Sequence, residues 1–165
     1  MALNKALSQE LEQEFASTRK MLQSVPEEHF AWKPHERSYT LGRLASHVAE
    51  LTGWVSFILT TNELDFEKGD YTPVNAATSA ELMELFEKNF ASSKEELQKA
   101  NDDVLMQHWK FRNGEQIYFD LPKIAVLRSF AMNHIIHHRA QLSVYLRLLN
   151  IPVPGMYGPT ADERM

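Results

Sequence analysis

Asn133-His134-Ile135-Ile136-His137-His138-Arg139-Ala140-Gln141-Leu142 sets three histidines inside a stretch patterned as an amphipathic helix. The pattern extends both ways from there. Pro122 opens the helix, because a first-turn residue needs no N–H, and the periodicity runs to about Leu149. At 100° per residue, Ile124, Leu127, Ala131, Ile135, Leu142, Tyr145 and Leu149 share one apolar arc. His134 and His138 fall within that arc. Spaced i and i+4, they stack on one side of the helix and can reach a common point. His137 points instead to a flank beside Phe130, Val144 and Leu148.

Three further helical patterns precede this one. Leu3, Leu7, Leu11, Phe15, Thr18, Leu22 and Val25 line one face of a first helix, which Pro26 stops. A second helix is predicted over roughly 41–60, with Leu44, Val48, Leu51, Val55 and Ile58 as its stripe. The polar segment 61–77 reads as a long crossover connection. Thr78-Ser79-Ala80-Glu81 then matches a capping box and starts a third helix carrying Leu82, Phe86, Asn89, Ser93 and Leu97 inward to about Asn101. Asn113-Gly114, between Trp109–Arg112 and Gln116–Phe119, predicts a β-hairpin turn. Beyond Asn150, Pro152, Pro154 and Pro159 forbid a helix. The expectation is an all-α chain: one domain over 1–165, a four-helix bundle with a crossover connection and a small hairpin before the last helix.

On the second helix the same arithmetic turns His47 inward, between Leu44, Val48 and Leu51. Three imidazoles, His47, His134 and His138, therefore converge on one core. Imidazole nitrogen suits Zn, Ni, Cu or Fe, whereas Mg and Ca prefer oxygen. Three protein ligands leave a position open, the arrangement of a catalytic ion. The competing reading is three core histidines bonded to backbone carbonyls. His29, His35 and His108 read as residues of connections, and His137 as a packing or partner-facing residue.

The rest of the chain removes other chemistries. No cysteine exists among the 165 residues, which excludes disulfides, Cys-ligated metal and a cysteine nucleophile. Ile135 after His134 breaks the His-Glu-x-x-His pattern, and Leu44, Ala131 and Ile135 occupy positions where a ferritin-like di-iron site needs glutamate. Phosphate loops and Gly-x-Ser-x-Gly elbows are absent from the sequence. A net charge of −5 with no run of Lys or Arg argues against a nucleic-acid partner. No apolar stretch approaches a membrane span, and the first residues lack the apolar core of a signal peptide. A cytoplasmic protein without a membrane partner is the expectation.

Trp32-Lys33-Pro34-His35-Glu36-Arg37-Ser38, Leu41–Glu50, Asn133–Leu142 and the tail Ile151–Pro159 together resemble the DinB family of metal-binding helical bundles, which includes thiol-dependent S-transferases. The family's metal triad falls on His47, His134 and His138. The resemblance implies a bundle, usually dimeric, with one divalent ion (Zn, Ni or Fe) and a cleft beside it. It also implies a metal-dependent enzyme that activates a low-molecular-weight thiol, with a small-molecule substrate. Arg43, Arg139, Lys33 and Tyr157 are the candidates for holding such a cofactor, and Arg139 is equally a structural partner for Glu50. The alternatives are a hydrolase using metal-bound hydroxide, for which Glu50 lies off the inward arc, and a non-catalytic ligand-binding bundle. Phe130, Val144 and Leu148 mark the expected homodimer face.

Overall fold

The computed structural model describes residues 3–163. Helix α1, Leu3–Gln23, buries Leu7, Leu11, Phe15 and Leu22 along the face that the periodicity marks. The second predicted helix is two: α2 spans Leu41–Leu51 and α3 spans Trp54–Thr60. The Thr52 hydroxyl donates to the Ala49 carbonyl at the break. Gly53 follows, where a Cβ would lie 2.9 Å from Cγ of Asn89. A glycine here lets the helix that carries Asn89 approach this closely.

That helix is α4, Ser79–Lys99. Its capping box forms in part: Thr78 accepts from the Glu81 amide, while the Glu81 carboxylate accepts from the amide of Ala77, one residue before the cap, at 2.8 Å. A short α5, Asp102–Met106, is capped by the Asn101 side chain. Helix α4 packs on α1, α2 and α3, while α1 and α2 also pack against the last helix. Phe15, Phe86, Leu51, Ile58 and Trp109 are among the fully buried side chains at the centre. Among the described residues, no helix is long and apolar enough to cross a membrane.

The mainly helical expectation holds, and the expected hairpin is extended. The hairpin of β2, His108–Asn113, and β3, Gln116–Pro122, gains a third strand, β1, Glu63–Asp65, paired in parallel with β2. The structure is mainly helical with a small three-stranded sheet in the order β1-β2-β3. Asp65 explains why so short a strand holds: its buried carboxylate accepts from the Gly114 amide at 2.9 Å and pairs with Arg112. The turn also shifts by one residue. Asn113 pairs with Gln116, so the central residues are Gly114 and Glu115. Only Gly114 of these takes a positive φ, 56°, the pattern of a type II′ turn.

The last helix carries the main departure from regular periodicity. Helix α6, Lys123–Val126, and helix α7, Asn133–Leu148, are joined by a π-helical turn at Leu127–Met132, in which the Asn133 amide reaches back to the Arg128 carbonyl. One extra residue in the turn rotates everything after it relative to a steady 100° count. The buried line is Val126, Leu127, Ala131, Ile135, Arg139, Leu142 and Leu146, whereas Ile124, Tyr145 and Leu149 are half-buried. Phe130 consequently leaves the predicted flank. Its ring lies 4.8 Å from that of Trp54 and 5.0 Å from that of Phe111, inside an aromatic cluster. Val144 and Leu148 remain exposed, at 55% and 57%. The helix ends in a Schellman motif: Asn150 is left-handed, its amide bonds to Arg147, and the Ile151 amide bonds to Leu146.

Candidate metal centre

His47 is delivered by α2, whose N-cap Thr40 accepts from the Arg43 amide and starts the helix. His134 and His138 lie on the first turns of α7, directly after the π-helical turn. The structure brings all three together. Ring centroids are 5.3 Å apart for His47–His134, 4.8 Å for His47–His138 and 4.7 Å for His134–His138. One ring nitrogen from each lies within 4.8 Å of the others. His47 is buried, and the two α7 histidines are half-buried at the edge of a cleft.

Two of the rings are oriented from behind. His47 Nδ1 faces Glu50 Oε2 at 3.2 Å, and His138 Nδ1 faces Gln141 Oε1 at 2.8 Å. Both acceptors hold the proton on Nδ1 and leave Nε2 as a lone pair, as the outer partners of metal-bound histidines do. Gln141 then donates its amide to His137 Nε2 at 3.0 Å, which fixes its orientation. His134 differs. Its buried Nδ1 makes no hydrogen bond of ordinary geometry, although the Phe130 backbone nearby favours a proton on the ring. Its Nε2 meets His138 Nε2 at 2.9 Å, which opposes two lone pairs unless a proton or a cation lies between them.

The electrostatics favour the neutral form of the two α7 rings. Burial pushes the His134 imidazole down to about 4, and the neighbouring His138 and His47 push the same way. Burial likewise lowers His138, against the opposing hydrogen bond to Gln141. A neutral, converging set of three nitrogens is what a borderline transition-metal ion requires, and the donor set fits one.

Glu50 is the residue that the helical count left aside. Only 6% exposed, it accepts from Arg43 at 3.0 Å, from the Tyr71 hydroxyl at 3.1 Å and from the Val74 amide, besides facing His47. Burial alone would raise its pKa, yet the hydrogen bonds from His47, Val74 and Arg43 outweigh this and hold the carboxyl below its usual range. The sequence does carry a signal for both orienting groups. Glu50 and Gln141 each stand three residues after a cluster histidine, one helical turn on.

The other candidates lie elsewhere. Arg43 is committed to Glu50, to the Val74 carbonyl and to Tyr71. Arg139 does not pair with Glu50. It is 2% exposed and turned toward α1, where it donates to the Glu14 carboxylate at 2.6 Å and to the Thr18 hydroxyl. Tyr157 joins that group through its hydroxyl, 2.8 Å from Glu14, and so pins the C-terminal tail. Lys33 donates to the Glu36 carbonyl at the surface. Beside His138 opens a pocket of about 460 Å³, lined by Arg37, Ser38, Tyr39, Leu44, Gln141 and Tyr145 among others.

The DinB family model matches residues 1–164. The chain belongs to the DinB family. It is 32% identical over 154 residues to the uncharacterised protein YrdA of Bacillus subtilis (strain 168), an alignment covering 89% of this chain and 83% of the relative. Two solved structures share the fold. A DinB-like protein from Bacillus cereus ATCC 10987 superposes with a TM-score of 0.70 at 24% identity, over 94% of this chain and 98% of that one. The DinB-like protein YjoA from Bacillus subtilis gives 0.69 at 17% identity, over 93% and 99%.

Proposed function

We propose that this DinB-family chain holds one divalent transition-metal ion on His47, His134 and His138 and activates a low-molecular-weight thiol for transfer to a second small molecule. Such an ion lowers the pKa of a thiol that it coordinates and supplies a thiolate near neutral pH. Glu50 and Gln141 keep His47 and His138 in the tautomer that offers Nε2. The pocket beside His138 admits the substrate, and Arg37 at its wall is a cation without an ion-pair partner among the described residues. The observation that carries the reading is the placement of Glu50. This carboxylate stands behind His47 and is saturated by Arg43, Tyr71 and Val74, and no carboxylate lines the pocket. A hydrolase needs a group on the open side to carry the proton of the attacking water to the leaving group, whereas a coordinated thiol would release its proton to solvent as it ionises.

Titration of cobalt-substituted protein with small thiols tests this. A thiolate-to-cobalt charge-transfer band is expected, and a spectrum indifferent to every thiol removes the transferase reading. We further read the long helical segments as a four-helix bundle of the crossover kind, pairing as a homodimer through Val144 and Leu148 on α7. Light scattering at tens of micromolar would give twice the chain mass; a monomer would contradict it.

A further inference from the structure

The long connection between α3 and α4 folds back over Glu50 and lines a second cavity, of about 230 Å³, which shares no lining residue with the pocket beside His138. A cavity of this size suits a small ring-bearing molecule and not a nucleotide or a peptide. Trp54, Phe57, Tyr71 and Leu85 supply apolar walls, with the Trp54 and Tyr71 rings edge to face at 5.7 Å. No lysine, arginine or histidine lines the cavity.

Its polar groups are oxygen acceptors in different states of use. Glu50 is fully engaged, and Arg43 balances its charge. Asp70 is exposed at the mouth, accepts only the Asp65 amide, at 2.9 Å, and has no ion pair among the described residues. Asn89 donates its amide nitrogen to the Ala49 carbonyl at 3.0 Å, which leaves the amide oxygen without a hydrogen bond in the structure. Aromatic faces beside an unbalanced carboxylate attract an organic cation by both charge and ring quadrupole.

We propose that this cavity binds a small arylalkylammonium, its charge at Asp70 and its ring among Trp54, Phe57 and Leu85. The site is independent of the histidine cluster for its affinity, although it shares Trp54 and Glu50 with it. The Trp54 ring is 6.1 Å from that of His134.

Calorimetric titration of the metal-loaded protein with 2-phenylethylamine, 2-phenylethanol and 3-phenylpropionate tests the assignment. The amine binds tightest, and stripping the metal with a chelator leaves its affinity unchanged. Asp70→Asn keeps an acceptor for the Asp65 amide; it weakens the amine about fivefold, as loss of an exposed ion pair does, and leaves the alcohol unaffected. Leu85→Trp fills the cavity and abolishes binding of the amine. The proposal is overturned by equal affinity for amine and carboxylate, by amine binding that disappears with the metal, or by a Leu85→Trp variant that binds as before. Absence of amine binding up to about 10 mM overturns it as well.

Discussion

A histidine is a useful ligand only when one ring nitrogen is committed elsewhere, and Glu50 and Gln141 perform that task for His47 and His138. Replacing His47, His134 or His138 by alanine should reduce bound metal from one ion per chain to near zero, measured by elemental analysis after dialysis. His137→Ala should retain the ion, and equal retention in all four variants would leave the cluster as packing. Glu50→Gln should bind metal about 10–100-fold more weakly while keeping the three ligands. The metal-free protein has its own pH dependence. With His134 near 4 when folded and near 6.5 when unfolded, both forms are neutral above that range. Between about 6.5 and 4 the unfolded chain takes up protons that the folded chain refuses, so stability falls as pH falls. His138 acts in the same direction. Metal ligation adds to the slope, because protons compete with the ion. Melting curves of loaded and stripped protein over this window should therefore diverge most at its upper end. Superimposable curves at every pH would mean that the ion does not sit on these rings.

At the level of elements, two helical runs are interrupted. The α2–α3 break follows from a contact: the Ser93 hydroxyl of α4 stands in the helix ladder, donating to the Thr52 carbonyl and accepting from the Ser56 amide, and α4 comes so close that position 53 has no room for a Cβ. Gly53→Ala should force the Asn89 side chain or α4 itself to move and cost about 1–3 kcal/mol, read from chemical denaturation. In a Gly53→Ala, Asn89→Ala double variant part of that cost should return; strictly additive losses would place the strain elsewhere. The π-helical turn spans Leu127–Met132. Its effect is plain: it draws Phe130 into the aromatic cluster and sets the phase of α7, so that His134 and His138 meet His47 while Arg139 turns to α1.

Across the whole molecule, the distant ends of the chain are joined by a buried charge. Arg139 on α7 links Glu14 of α1 to Tyr157 of the tail, and Arg147 clasps Asp162 further along. Removing one partner of a buried pair strands the other. Arg139→Ala should destabilise the protein by about 3–5 kcal/mol, because Glu14 is left charged in the core. Tyr157→Phe removes two hydrogen bonds, the one donated to Glu14 and the one accepted from Arg139, and should cost about 1–2 kcal/mol. Denaturant midpoints of the two variants give the comparison, and equal losses would show that the tail, not the ion pair, holds the structure. The long connection is the other large-scale device. It brings Tyr71 and Val74 onto Glu50, so that a loop remote in sequence buttresses the residue behind His47.

Periodicity was enough for α1, α4 and the inward histidines, and a short motif for the start of α4, because burying an apolar stripe is a local matter of spacing and i, i+4 neighbours meet in any helix. His47 could be paired with the others from sequence because its own helix shows which side faces the core. Tertiary contacts decided what spacing cannot express. The three residues of β1 have too little pattern to announce a strand and hold only because the hairpin and the Asp65 carboxylate receive them. Glu50 is acceptable in the interior only once Arg43, Tyr71 and Val74 surround it, and two of these come from a segment whose composition is that of a loop. A steady 100° per residue is a property of an unbroken helix. The extra residue at 127–132 changes that phase, and only the packed structure shows where the ring of Phe130 and the guanidinium of Arg139 come to rest.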